Sequence, residues 1–220
     1  MRMFNPDGTE DFCGNGLRCV VRYVAQEWIK SNLSIIYVDI DTIAGQKRCT
    51  YYAQDTPVVR IELGEPSFEP SAIPVKTSEI PIDGFPLNVG GKTLTVIPLS
   101  TGTTHTVIFC EQLPDDETFF ELSPLIENNE IFPDRTSVMW CHVIDRSLVE
   151  IRIWERGAGE TLGCGTGASA TAVAAIRAGL TDHEVSVRSK GGLLQIEWQT
   201  GGPVILQGPA DYVYTGVVSF

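Results

Sequence analysis

The sequence predicts an α+β fold of two repeated units, mostly β-strand with two prominent helices. Three observations carry this. The strings "CGNG" at 13–16 and "CGTG" at 164–167 share one pattern, Cys-Gly-x-Gly, and each opens a run of helix-forming residues. Short β-like segments bounded by turn residues occupy most of the chain between and after them. A length of 220 residues with 43% hydrophobic content supplies core for one large domain or two small ones.

In chain order, "MRMFNPDGTEDF" reads as a strand end and a turn, with Pro6, Asp7 and Gly8 as breakers. Residues 16–30 read as a helix, because Leu17, Val20, Val21, Val24 and Ile29 recur near a 3.6-residue period. Segments 34–43, 48–53 and 57–64 are β-like, and the Pro-rich stretch 66–86 reads as a connection. Strands are predicted at 93–98 and 105–111, a short helix at 121–128, and strands at 137–144 and 148–154. The second long helix is Gly165–Gly179, and strands follow at 184–188, 193–199, 203–207 and 211–218.

The repeat also fixes proportions. Fifty-six residues follow Cys164, and a comparable unit extends back to about 85–95. The boundary is therefore placed between residues 1–88 and 89–220. Only twelve residues precede Cys13, so the first unit is expected to lack roughly its first half.

A net charge of −12 and a pI near 4.6 leave no basic footprint for nucleic acid. No signal peptide is recognisable and no apolar run reaches the ~18 residues that cross a bilayer. A cytoplasmic protein that binds no membrane is the expectation. The six cysteines have neither a disulfide framework's density nor zinc spacing, so they are read as thiols. Cys19, Cys49, Cys110 and Cys141 stand in apolar or strand-like contexts and are expected to be core or inert. His142 is expected to be structural, and His183 a solvated turn residue.

Cys13 and Cys164 differ from these. A helix leaves its first N–H groups unpaired and carries partial positive charge there. A cysteine at that end is expected to have a lowered pKa. The glycines let a ligand approach the backbone amides. Two such ends facing each other hold one small anion between two sulfurs. That arrangement suits inversion of a carbon bearing a weakly acidic hydrogen: a thiolate takes the proton from one face and a thiol returns one to the other. Arg156, just upstream of Cys164, is a candidate carboxylate clamp. Glu155 and His105 are candidates for tuning or relaying the protons.

The strings "FNPDGTEDFCGNGLRCVVRYV" and "WERGAGETLGCGTGASATAVAAIRAGL" closely resemble those of the diaminopimelate epimerase family. Weaker resemblance continues through "GTTHTVIF" and "IFPDRTSVMWCHVIDR". The resemblance implies two pseudo-symmetric lobes, each a β-barrel-like sheet around a central helix, here with the first lobe cut short at its N-terminus. It implies interconversion of LL- and meso-diaminopimelate, for lysine and cell-wall synthesis, without pyridoxal phosphate or metal. Carried over by motif, Cys13 and Cys164 are the acid/base pair, with His105 and Glu155 beside them. Gly14, Asn15, Gly165 and Thr166 surround the α-carboxylate, and Asn5 and Arg156 bind substrate. The partner is a small amino acid; a homodimer is allowed. Two places depart from the family pattern. Gly102-Thr103-Thr104 precedes His105 where the family has Pro and often Asn, and Ser137 stands where the family has Asn. These motivate one alternative, a racemase of the same build acting on another amino acid. The short first lobe motivates a second, a chain that folds without turnover. A thiol redox protein is the third, and the lack of a CxxC unit counts against it.

Overall fold

A computed structural model of the chain describes residues 1–4, 8 and 10–217. Two short strands, β1 (Met3–Phe4) and β2 (Glu10–Asp11), form an antiparallel pair. Helix α1 (Gly14–Tyr23) continues as a π-helical segment, Val24–Ile29, which Lys30 ends in the left-handed conformation. Then come β3 (Ile35–Thr42), β4 (Gly45–Tyr52), β5 (Val58–Gly64), β6 (Phe85–Val89), β7 (Lys92–Ser100) and β8 (Thr104–Cys110). Helix α2 (Asp116–Glu127) precedes β9 (Ser137–Asp145), β10 (Leu148–Glu155) and β11 (Gly159–Thr161). Helix α3 (Gly165–Arg177) is followed by β12 (Glu184–Ser189), β13 (Gly192–Glu197) and β14 (Val204–Pro209).

Strands β3 to β14 form one continuous sheet, in the order β3-β4-β5-β14-β13-β12-β10-β9-β8-β7-β6, with β11 beside β10. Neighbours are antiparallel except β8–β9 and β10–β12. The sheet curls around α3, which touches β7–β10 and β12–β14. Every residue from Gly165 to Ile176 is buried. A helix enclosed on all sides must be small and apolar all round, and "GTGASATAVAAI" is. Two of its hydroxyls are satisfied within the helix: Ser169 donates to the Gly165 carbonyl and Thr171 to that of Gly167, both at 2.9 Å.

Helix α1 is covered on one side only. Leu17, Arg18, Val21 and Ala25 face β4, β5 and α3, while Tyr23, Trp28 and Ile29 are exposed. Cys19, expected to be core or inert, is exposed, because it lies off the Leu17–Val21 stripe. β14 pairs with β5 on one side and β13 on the other, and so joins β3–β5 to the rest of the sheet.

Four expectations are corrected. Helix α2 starts at 116 rather than 121, because Asp115 caps it: its carboxylate accepts the Thr118 N–H at 2.8 Å. β6 emerges from the tail of the Pro-rich stretch; it is the last strand of the sheet, where Pro86 costs no ladder bond. β11 follows a tight turn too short to show periodicity. Residues 211–217 form no strand, despite their alternating pattern. Tyr212, Val213, Tyr214 and Val217 are exposed with no strand beside them. Among the described residues no helix is long and apolar enough to cross a membrane.

Candidate active site

The two Cys-Gly-x-Gly strings fold alike. Each cysteine is an N-cap with extended backbone, φ −132° and ψ 108° at Cys13, φ −128° and ψ 112° at Cys164. Each Sγ accepts the N–H of the second glycine, Gly16 at 3.3 Å and Gly167 at 3.4 Å. The helix ends oppose one another: a methyl placed on Gly14 would lie 4.0 Å from both Gly165 Cα and the Thr166 nitrogen. Asn15 crosses between them. Its amide donates to the Gly163 carbonyl at 3.0 Å, and its oxygen accepts from Arg18 at 2.9 Å. Arg18 also donates to the Pro209 carbonyl, so one buried guanidinium ties α1 to β14. Sequence reasoning missed Arg18; its spacing of three from Asn15 on a helix was the available signal.

Both cysteines, both helix ends, Glu10, Phe12, Thr103, His105, Ser137, Glu155 and Arg156 line one cleft of about 830 Å³. This falls within the size range of small-molecule sites. Of the residues singled out from the sequence, Cys13, Gly14, Asn15, His105, Glu155, Arg156, Cys164, Gly165 and Thr166 all meet there. Asn5 lies outside the described residues.

The motif Glu-Arg-Gly-Ala-Gly-Glu-Thr is a hairpin. Glu155 pairs with Gly159 across the turn, and Gly157 and Gly159 take φ of +77° and +81°, a region that suits glycine. Glu155 and Arg156 are thereby held at the turn, facing the cleft. Thr161, also missed in the sequence, donates its hydroxyl to Glu155. The Arg156 N–H donates to Ser137 Oγ at 3.0 Å and its guanidinium to the Asp134 carbonyl at 2.9 Å. Ser137 thus engages Arg156 within the protein.

Thr166 is the polar hub on the second side. Its hydroxyl lies 3.4 Å from Cys164 Sγ, 3.3 Å from His105 Nε2 and 3.4 Å from Thr103 Oγ1. Thr101 donates to the Thr166 carbonyl at 2.9 Å. His105 Nδ1 lies 2.9 Å from the Thr103 carbonyl, which fixes the proton on Nδ1 and leaves Nε2 as acceptor in the neutral ring. The departure at 103–104 therefore preserves an orienting contact for the histidine. His142 Nδ1 lies 3.4 Å from the Cys110 carbonyl, away from the cleft. His183 is exposed, as expected, with Nδ1 3.1 Å from the Trp198 carbonyl.

The expected lowering of the thiol pKa is overturned at Cys164. Burial first, and then the negative charge of Glu155, push it up to about 12, against the smaller pull of Thr166 and the Gly167 N–H. A helix end offers partial charge; a dry pocket beside a carboxylate outweighs it. Cys164 is therefore a thiol, able to hydrogen-bond Glu155. Among the described residues no three His, Cys, Asp or Glu side chains gather as metal ligands would.

Facing N-cap cysteines on a shared cleft, within this fold, define an isomerase of the amino-acid racemase and epimerase class. The fold is shared with a hydroxyproline epimerase from Agrobacterium vitis, solved with trans-4-hydroxy-L-proline bound (TM-score 0.70, 17% identity, 94% of this chain and 66% of that one). It is shared equally with a probable proline racemase from Agrobacterium radiobacter (TM-score 0.69, 17% identity, 94% and 68%). Sequence comparison narrows the class. Residues 98–213 match the family model of diaminopimelate epimerase. The diaminopimelate epimerase of Pelotomaculum thermopropionicum is 39% identical over 219 residues, 98% of this chain and 77% of that protein. That of Cupriavidus pinatubonensis is 38% identical over 228 residues, 99% and 76%. The chain belongs to the diaminopimelate epimerase family.

Proposed function

We propose that this chain interconverts LL- and meso-diaminopimelate by proton transfer between its two N-cap cysteines. The observation that carries the reading is the opposition of two like-built helix ends, each presenting a sulfur and free amides to one cleft. The α-carboxylate sits between the amides of residues 14–15 and 165–166. Its α-carbon then has one sulfur on each face. Cys164, buried beside Glu155, starts as the acid, and Cys13 acts as the base for the LL substrate. As the α C–H bond breaks, negative charge spreads into the carboxylate, where two helix ends stabilise it. Cys164 delivers its proton to the opposite face, which inverts the centre. His105, with Nε2 as acceptor, and Glu155 return the thiols to their starting protonation. At the far end of the cleft, Arg156 and Arg135 stand beside Asp134. Charges of both signs suit a substrate that carries a second carboxylate and a second amine. Lysine and cell-wall synthesis place this reaction in the cytoplasm.

The test is proton exchange at the α-carbon of LL-diaminopimelate, followed by NMR in deuterated water with reductant. Exchange with appearance of the meso isomer is expected. Cys13→Ser and Cys164→Ser should each slow it by at least about a hundredfold. A folded chain that exchanges only some other amino acid would replace the substrate, and exchange that survives both substitutions would end the two-thiol mechanism.

A further inference from the structure

Outside the cleft, at the C-terminal end of α2, lies a carboxylate that the chemistry above does not use. Glu127 is 5% exposed. It accepts three N–H groups: the Trp154 indole at 2.7 Å, the Gly157 backbone at 2.8 Å and the Arg135 guanidinium at 3.0 Å. Its own carbonyl accepts from the Thr136 N–H at 3.3 Å. A carboxylate is this deeply buried only when its oxygens are engaged. What matters is where the donors come from. Gly157 directly follows Arg156 in the hairpin turn, and Trp154 directly precedes Glu155. Arg135 stands in the turn before Ser137 and holds φ of +59°, which a non-glycine residue keeps only where its surroundings impose it.

One side chain therefore clamps together the two turns that bound the far end of the cleft. Arg156 is suspended between them: its N–H is on Ser137, the first residue of β9, and its guanidinium on the Asp134 carbonyl in the opposite turn. The sulfurs, by contrast, are anchored on α1 and α3, to which none of these Glu127 partners belongs.

We propose that Glu127 is a positioning residue for substrate recognition. It fixes the Arg156 guanidinium where it meets the carboxylate remote from the reacting carbon, and it does so without lining the cleft. The assignment rests on the epimerase reading above. Glutamine at 127 keeps the shape but turns an NH2 group toward one set of donors, so the clamp opens on one side.

The experiment measures α-proton exchange as a function of LL-diaminopimelate concentration for the unmodified chain, Glu127→Gln, Arg156→Lys and the double variant. Glu127→Gln should raise KM about tenfold and leave kcat within about threefold. In the Arg156→Lys background the same change should raise KM by less than about threefold, because the two residues act as one unit. Trp154→Phe removes one donor while keeping an aromatic ring against Phe119 and Phe120, and should raise KM about threefold; it serves if Glu127→Gln does not fold. An unchanged KM in a folded variant overturns the assignment, as does a fall in kcat alone or a fully additive double variant. If the unmodified chain does not exchange this proton, the epimerase reading itself fails and takes the assignment with it. If it does, failure of the variants counts against Glu127 alone.

Discussion

Cys164 keeps its proton because two unfavourable terms for a thiolate act together. Its pocket is dry, and Glu155 brings a like charge. Glu155→Gln removes the second of these and leaves the first. In a background lacking the other five cysteines, the Cys164 thiolate should then appear at a lower pH than with Glu155 in place. Thiolate absorbance reads this directly, and an unmoved titration would assign the whole shift to burial. The same variant should lose about a hundredfold in α-proton exchange, since Cys164 then lacks the group that returns its proton after turnover. The placement of Glu155 and Arg156 beside the cleft was legible in the string that contains them. That of Thr161 was not, because a threonine six residues downstream meets Glu155 only once the hairpin has closed.

The helix ends carry the site at the next scale. Gly14 and Gly165 stand at the first helical positions, and the proposed mechanism seats the substrate carboxylate against their backbone. Gly14→Ala tests this cleanly. The nearest atoms to the added methyl lie at 4.0 Å, an ordinary contact, and alanine favours the helix. Stability should stay within about 1 kcal/mol. Exchange should fall about a hundredfold, because the methyl displaces the carboxylate from the amides. Thermal unfolding and the NMR assay on one preparation separate the two effects; a fully active Gly14→Ala chain would move the carboxylate seat elsewhere. The repeat behind this symmetry was readable in eight residues, and so were most strands. What escaped were elements whose formation depends on distant partners. The alternating tail at 211–217 stays irregular for want of a partner edge, and β6 forms despite Pro86 because β7 is there to pair with it.

For the molecule as a whole, burial of thiols ties stability to alkaline pH. Cys49 and Cys164 are pushed up to about 12 and Cys110 to about 11, and Cys141 is also raised, each chiefly by burial. In the unfolded chain these groups ionise near 9.0. Above that pH the unfolded chain binds fewer protons than the folded one, so unfolding becomes easier as pH rises. Stability should be level below about pH 9 and fall steadily toward pH 11. Denaturant midpoints across this range measure it, and Cys141→Ala should flatten the slope. A slope unchanged by that substitution would point to other groups.

By itself the sequence determined that two like helix starts exist, that each carries a cysteine between polar turn and helix, and which family the chain belongs to. These are local properties: capping, glycine placement and the spacing of small residues act within a few positions of one another. Only the tertiary structure decided that the two helix ends face each other across one cleft, and that Cys164 is a thiol rather than a thiolate. It also decided that Arg156 hangs between two turns fastened by Glu127. Burial and the meeting of residues far apart in the chain set these outcomes. Desolvation and charge act through space, and the curling of one continuous sheet around α3 is what brings those residues within reach.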